Sequence, residues 1–95
     1  MKADKHADET LFMADLERRD IRAFIRLYKE NRDDLVIFAF KQLNDHKMVS
    51  EAVDELFEDL WVSARFTAIT PPIYKYLVDR MRIICDRRKG SPKAV

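Results

Sequence analysis

The chain contains few residues that break helices or form cross-links. Its 95 residues include one glycine and three prolines, which leaves little material for turns and favours long periodic segments. Cys85 is the only cysteine, so an internal disulfide and a multi-cysteine metal site are both excluded. A reducing cytoplasm is therefore the expected compartment.

Long apolar runs and catalytic motifs are also missing. No segment approaches the roughly 18 apolar residues that cross a bilayer, and the polar start MKADKHADET does not have the pattern of a signal peptide. No glycine-rich phosphate loop and no nucleophile with a companion base is visible. His6 and His46 are too isolated to suggest a metal site or a catalytic base. We expect a cytoplasmic protein that is not an enzyme and has no metal or cofactor.

What the chain does have is a globular composition with an uneven charge distribution. Hydrophobic residues make up 47% of it and charged residues 37%, which is typical of a single folded domain. The net charge of +1 divides into −1 over residues 1–34, −4 over residues 35–61 and +6 over residues 62–95. An acidic middle followed by a basic end suggests two surfaces with different partners, although a solvated face is the commoner explanation for one charge run.

Apolar residues recur at helical spacing in four segments, and the first two lie before residue 44. The first segment follows a start signal at Asp8 and Thr10. Its apolar stripe consists of Leu11, Phe12 and Leu16, and Met13 is a candidate fourth member. Asp20 is the predicted cap of the second helix, whose apolar positions are Ile21, Phe24, Ile25, Leu27 and Tyr28. The sequence NRDD (31–34) is a candidate kink or restart, and LVIFAFKQL after it predicts a central, buried helix.

The third and fourth segments complete the predicted bundle. After the break NDHK (44–47), a strict amphipathic stripe runs through Val49, Ala52, Val53, Leu56, Phe57, Leu60, Trp61 and Ala64. Thr70, with Pro71 at the first helical position, opens the last helix, whose core face is Ile73, Leu77, Met81 and Ile84 and which Gly90 and Pro92 stop. The fold class is therefore all-α, a single-domain bundle of about four helices over residues 1–89, with residues 90–95 as a tail or the start of a linker.

The third helix contains EAVDELFEDLW (51–61), an unusually acidic stretch. Glu51, Asp54, Glu55, Glu58 and Asp59 share its polar face with almost no base at i+4, and like charges at this spacing cost a few tenths of a kcal/mol per pair. The face is either simply solvated or a docking surface whose basic partner supplies the missing positive charge. Trp61 is either a core residue or a contact.

The order of these features resembles region 2 of bacterial sigma factors of the extracytoplasmic-function type. The resemblance covers about residues 9–89. Its first part lies in DIRAFIRLYKENRDDLVIFAFKQLND, and the matching residues are Asp20, Ala23, Phe24, Leu27, Tyr28, Leu35, Phe38, Ala39 and Leu43. Its second part lies in VSEAVDELFEDLW, where Glu51, Val53, Glu55, Phe57 and Trp61 match in register. A loop containing ITPPIYKYL and a helix ending in DRRK follow.

The resemblance implies two partners. The acidic helix would dock on the clamp helices of the RNA polymerase beta-prime subunit, and the candidate contacts are Glu51, Asp54, Glu55 and Glu58. Asp54 stands where the family has glutamine. The loop and the basic last helix would recognise the promoter minus-ten element, with one flipped base captured in a pocket formed largely by the loop. An anti-sigma factor is a further candidate partner.

The DNA candidates each have a structural alternative. The last helix and the loop before it provide the candidate DNA contacts Phe66, Tyr74, Lys75, Arg80, Arg82, Arg87, Arg88 and Lys89, with Tyr76 as a further stacking group. Arg80 and Arg88 lie near the predicted core face, from which a long side chain can simply extend to solvent. Phe66 is more simply a cap over the core, Tyr74 and Tyr76 can equally cover the bundle, and Cys85 is expected to be a small core residue.

The hypothesis is a sigma-factor domain that binds polymerase and helps to recognise and melt the minus-ten element. The alternative is a sigma-like interaction module, a decoy or adaptor that binds polymerase or an anti-sigma factor without recognising DNA. A third interpretation is a self-associating bundle whose acidic and basic faces meet.

Overall fold

The protein folds into a small bundle of α-helices. The computed structural model describes residues 5–70 and 72–90. Within that part the elements are α1 (Lys5–Glu17), α2 (Ile21–Leu43), α3 (His46–Ser63), a short 3-10 helix (Phe66–Ala68) and α4 (Ile73–Gly90), with no strand among them. The predicted all-α bundle of four helices is confirmed.

Capping residues set the bounds of α2 and α3. The Asp20 carboxylate accepts a hydrogen bond from the backbone N–H of Arg22 at 3.0 Å, and the Asp45 carboxylate accepts one from Met48 at 2.9 Å. Asn44 ends α2 in the left-handed conformation, with φ of 55°, which asparagine tolerates better than most residues. The break predicted at NDHK is therefore confirmed, although it is only two residues long.

The restart suggested at NRDD is wrong, because α2 continues through it without interruption. The Asn31 side-chain amide donates to the Leu27 carbonyl at 2.9 Å, which lies one turn back along the same helix. The Asp33 side chain extends into solvent and does not compete for backbone hydrogen bonds. Leu27 and Leu35, on either side of the segment, are both fully buried, so packing on both sides supports one continuous helix.

Two other boundaries differ from the sequence prediction. The first helix includes Lys5, so Asp8 and Thr10 lie inside it and do not start it. The last helix begins at Ile73. Pro71 and Pro92 lie outside the described residues.

All four helices contribute buried residues to one core. Both α2 and α3 pack against each other and against α4, while α1 contacts α2 and the 3-10 helix. Every predicted stripe residue of α3 is buried except Trp61, which is half-buried, and so are all four predicted core residues of α4. In α1 the residues Phe12, Met13 and Leu16 are buried, whereas Leu11 is exposed.

The second half of α2 is less buried than its composition predicts. Only Leu35 and Ala39 are fully buried there, and Ile37 is 55% exposed. Because α3 and α4 cover α2 on two sides only, one side of this apolar segment faces solvent. None of the described helices combines the length and apolar character that a bilayer span requires.

Candidate partner-binding and nucleic-acid interface

The acidic face of α3 divides into two rows. Glu51, Glu55 and Asp59, spaced four residues apart, form the inner row, which faces α4. Asp54 and Glu58 form the outer row, which lies on the side away from α4 and is exposed. The two rows have different surroundings, which the spacing along one helix does not reveal.

The inner row pairs with three arginines of α4. Arg88 spans two carboxylates, with Nη1 at 3.2 Å from Glu51 Oε1 and Nη2 at 3.0 Å from Glu55 Oε1. Arg87 Nη2 lies 2.9 Å from Glu55 Oε2, and Arg80 Nη2 lies 3.7 Å from Asp59 Oδ2. These six side chains form a ladder between two antiparallel helices, which we call the ion-pair seam.

The seam changes the interpretation of the acidic stretch. The sequence left open whether this face is simply solvated or docks on a basic partner, and α4 itself supplies positive charge to the inner row. Glu51 and Glu55 therefore need no external base to balance their charge, because arginines more than 30 positions away in the chain lie beside them. Their assignment as polymerase contacts stays a prediction. Among the described residues, Asp54 and Glu58 have no ion-pair partner, so the expectation of an external base remains for the outer row.

Apolar and aromatic groups border the outer row. Phe24 of α2 packs edge-on against Trp61, with 5.0 Å between ring centroids, and Tyr28 packs against Phe57 at 4.9 Å. Ile21 and Ile25, each three residues before one of these α2 rings, are exposed. Residues three apart are neighbours on a helix surface, so the acids and the isoleucines belong to one mixed surface of α2 and α3. A helix that carries both arginines and apolar residues suits it.

Phe66 is a core residue in this conformation. Phe66 belongs to the 3-10 helix, and its ring is fully buried in the core of the bundle. The Arg19 guanidinium lies 5.1 Å from the centroid of the ring. A ring in that position is not available to stack on a base, which agrees with the alternative of a cap over the core. Of the other two aromatic candidates, Tyr74 is 41% exposed and Tyr76 is half-buried.

An open cavity of about 540 Å³ lies where α3, the following loop and the start of α4 meet. The loop provides Arg65, Ile69 and Thr70 to its wall, and α4 provides Lys75 and Tyr76. Its polar lining therefore consists of one aromatic ring, the hydroxyl groups of Ser63 and Thr70, two cations and the Asp79 carboxylate. The ring and the cations suit a planar group attached to a phosphate. Arg65 and Thr70 are not among the residues predicted for this site, because the loop ARFTAITPP contains no glycine or amide that marks a binding pocket.

The remaining cations of α4 lie outside the seam. Lys75 and Arg82 both approach Asp79, at 3.6 Å each. Arg82 also lies 5.6 Å from the centroid of the Phe38 ring, and Lys89 donates to the Gln42 side chain at 3.2 Å. Exposed pairs of this kind contribute about 0–1 kcal/mol, so they leave these cations able to exchange an acid for a phosphate.

The surroundings of Cys85 and His46 indicate structural roles. The Cys85 thiol is buried in α4, and this burial raises its pKa above the ordinary value, which keeps the thiol protonated and unreactive at neutral pH. The His46 ring lies 5.0 Å from that of Phe40. No group of three or more histidine, cysteine and acidic residues that could hold a metal ion occurs in the described part of the chain.

Comparisons of the chain with models of protein families, with curated proteins and with solved structures find no match.

Proposed function

We propose that this chain is the polymerase-binding, minus-ten-recognising domain of an alternative sigma factor of the extracytoplasmic-function type. The observation that carries the proposal is the cavity between α3 and α4. It is lined by the same loop to which the family resemblance assigns the base pocket, and Lys75 and Tyr76 stand in its wall. A binding module without nucleic-acid recognition has no need of this combination.

Promoter binding would use the cavity and the exposed cations of α4. A flipped base of the non-template strand enters beside Tyr76, and Thr70 offers a hydroxyl group to its polar edge. Lys75 and Arg65 meet the neighbouring phosphates. Stacking on one aromatic ring contributes about 1–3 kcal/mol per base, which offsets part of the cost of unstacking the base from the duplex.

Polymerase binding would use the outer row of α3. Asp54 and Glu58 are exposed and lie one turn apart, so they can accept forked hydrogen bonds from arginines of the beta-prime clamp helices. The exposed Ile21 and Ile25 add apolar contact area next to them. Glu51 and Glu55 would take part only after their bonds to α4 are exchanged.

Binding of single-stranded oligonucleotides tests the DNA part of the proposal. Fluorescence anisotropy should show tighter binding to a minus-ten sequence than to a scrambled one of the same length. Lys75→Gln should weaken that binding about threefold to tenfold, because it removes a phosphate contact worth of order 1 kcal/mol. Lys47→Gln is the matched control, since Lys47 is an exposed lysine at the start of α3, and it should change affinity less than about twofold. Equal effects of the two substitutions would contradict a role for the cavity.

Charge reversal tests the polymerase part. The double variant Asp54→Lys with Glu58→Lys should abolish binding to isolated beta-prime clamp helices, because it places like charges against the arginines. Asp34→Lys, which reverses an exposed acid of α2, is the control and should leave binding intact. Undiminished binding by the double variant overturns the assignment of this surface.

One observation favours the alternative of a sigma-like interaction module. Arg80, Arg87 and Arg88 are all engaged with α3 carboxylates, so a large part of the basic face of α4 already has a structural use. If clamp binding is retained while oligonucleotide binding has no sequence preference, this alternative is the better description.

A further inference from the structure

The loop that lines the cavity is bonded to α1, a helix that does not line it. The backbone N–H of Thr67 donates to Glu17 Oε1 at 3.3 Å, and that of Ile73 donates to Glu9 Oε2 at 2.9 Å. Both acids belong to α1, and each lies 50 or more positions before its partner in the chain. Among the described residues, the wall of the cavity contains none from α1. These acids can therefore affect a ligand in the cavity only through the loop.

The two hydrogen bonds lie at the two ends of the loop segment that forms the cavity wall. Thr67 is in the 3-10 helix, and Ile73 is the first residue of α4. An amide at the start of a helix has no acceptor within that helix, and the two acids supply one from outside, as capping side chains do. Ala68, Ile69 and Thr70, which all belong to the cavity wall, lie between the two bonded amides.

Packing fixes this segment at its ends and not along its length. Phe66 and Ile73 are buried, but none of the described residues between them is. The backbone hydrogen bonds of the 3-10 turn run from Ala68 to Arg65 at 2.9 Å and from Ile69 to Phe66 at 3.1 Å. The shape of the cavity wall therefore depends on where the two ends are held.

We propose that Glu9 and Glu17 are positioning residues for nucleic-acid binding, which hold the loop in the shape that admits a base without touching the base themselves. This inference rests on the function proposed above. The two acids are eight residues apart, about 12 Å along a helix, so one rigid helix sets the distance between the two ends of the cavity wall. A loop that is ordered before binding loses less conformational freedom when a base enters, which raises the affinity.

Electrostatic repulsion alone predicts a different outcome when these acids are removed. A carboxylate near a nucleic-acid site repels phosphates, so its removal should tighten the binding of any strand. Glu17→Gln and Glu17→Ala remove the same charge, but glutamine keeps a side-chain oxygen that can accept from Thr67, and alanine does not. A positioning role predicts that the two variants differ in affinity, and repulsion alone predicts that they do not.

Fluorescence anisotropy with three labelled single strands of equal length measures this difference. The strands are a minus-ten sequence, a scrambled sequence and an abasic strand. Glu17→Ala should bind the two base-containing strands about threefold to tenfold more weakly than Glu17→Gln does, which is part of the contribution of one stacked base. The two variants should bind the abasic strand within about twofold of each other, because its phosphates do not depend on the shape of the cavity.

A second pair of variants and a charge control complete the experiment. Glu9→Ala and Glu9→Gln should show the same difference, and this pair decides the outcome if circular dichroism shows that Glu17→Ala is unfolded. Asp15→Ala removes an acid of α1 that pairs with Arg18 and should not weaken the binding of any strand.

Two results overturn the inference. One is equal affinity of the alanine and glutamine variants for the base-containing strands. The other is a loss that is equally large for the abasic strand, because a helix that only braces the bundle affects the binding of every strand alike.

The minus-ten and scrambled strands separate this inference from the proposed function. A difference between the alanine and glutamine variants without any preference for the minus-ten strand supports the positioning role and contradicts promoter recognition. A preference that is equal in the alanine and glutamine variants supports promoter recognition and contradicts the positioning role. If the base-containing strands bind no more tightly than the abasic strand, both are overturned.

Discussion

Arg19 connects three parts of the fold through one side chain. It has a φ of 61°, in the region that most residues avoid, and its guanidinium reaches across the turn between α1 and α2. Nε donates to the Trp61 carbonyl at 2.7 Å, Nη2 to that of Ala64 at 2.9 Å and Nη1 to that of Leu16 at 3.1 Å. It thereby provides donors to the Trp61 and Ala64 carbonyls at the end of α3. It also adds a second donor to the Leu16 carbonyl, which accepts from the backbone N–H of Arg19 at 2.9 Å. Nothing in the local sequence distinguishes Arg19 from Arg18.

Replacing Arg19 tests this bridging role. Arg19→Lys keeps the charge, but an ammonium group cannot donate in three directions from a rigid plane. We expect a loss of about 1–3 kcal/mol in the free energy of unfolding, measured by urea titration, because partly buried carbonyls lose their donors. The control is Arg18→Lys at an exposed position, with a change below about 0.5 kcal/mol.

Phe66 and Tyr74 distinguish a core role from a surface role for the aromatic candidates. Phe66→Ala should lower the free energy of unfolding by about 3–5 kcal/mol, the range for a buried aromatic ring, and should reduce DNA binding only as far as it unfolds the protein. Tyr74→Ala, at a position that is 41% exposed, should cost less than about 1 kcal/mol. Urea titrations of both variants give the comparison. A fully stable Phe66→Ala protein would contradict the burial of the ring.

At the scale of the elements, short-range signals and packing made different contributions. The cap at Asp20, the break at NDHK and the apolar stripes of α3 and α4 were predictable, because capping and helical periodicity depend on residues within a few positions of each other. The continuity of α2 through NRDD was not, because it depends on the burial of Leu27 and Leu35 by other helices. The division of the α3 acids into an inner and an outer row was not predictable for the same reason, since it depends on which acids face α4.

The two aspartate caps give a direct test at this scale. Asp20→Ala and Asp45→Ala should each lower the free energy of unfolding by about 1 kcal/mol, because each leaves a backbone N–H without its acceptor. Asp34→Ala removes the same charge from an exposed position inside α2 and should have almost no effect, since alanine is the better helix former. Thermal unfolding followed by circular dichroism measures all three. Equal losses would indicate that net charge, and not capping, is responsible.

At the scale of the whole molecule, acidic and basic segments that are far apart along the chain contact each other as neighbouring helices. The acidic middle and basic end suggested separate surfaces, and one sequence interpretation joined such faces between two copies of the chain. Within one molecule, α3 and α4 already join part of them in the ion-pair seam. The charges outside the seam, Asp54 and Glu58 on one side and Lys75 with the cavity on the other, are exposed and available to partners.

The contribution of the seam to stability should depend on salt. Arg88→Ala leaves Glu51 and Glu55 with less positive charge and should lower the free energy of unfolding by about 1–2 kcal/mol at low salt, a value reduced here for partial exposure. Arg82→Ala, on the opposite side of α4, should cost less than about 0.5 kcal/mol. Urea titration at low salt and at 1 M salt measures both. The difference between the variants should shrink at 1 M, where screening acts over about 3 Å; a difference that does not change with salt would indicate that Arg88 acts through packing.

The sequence by itself determined the helical class, the core faces of α3 and α4, the helix start at Asp20 and the break at NDHK. These features depend on periodicity, capping and composition, which are properties of neighbouring residues. Only the tertiary structure decided that Phe66 is buried, that Arg19 joins the turn to α3, that the loop and α4 enclose a cavity, and that Glu51 and Glu55 meet Arg87 and Arg88. Those features depend on distances between residues far apart in the chain, which helix packing sets and local patterns do not encode.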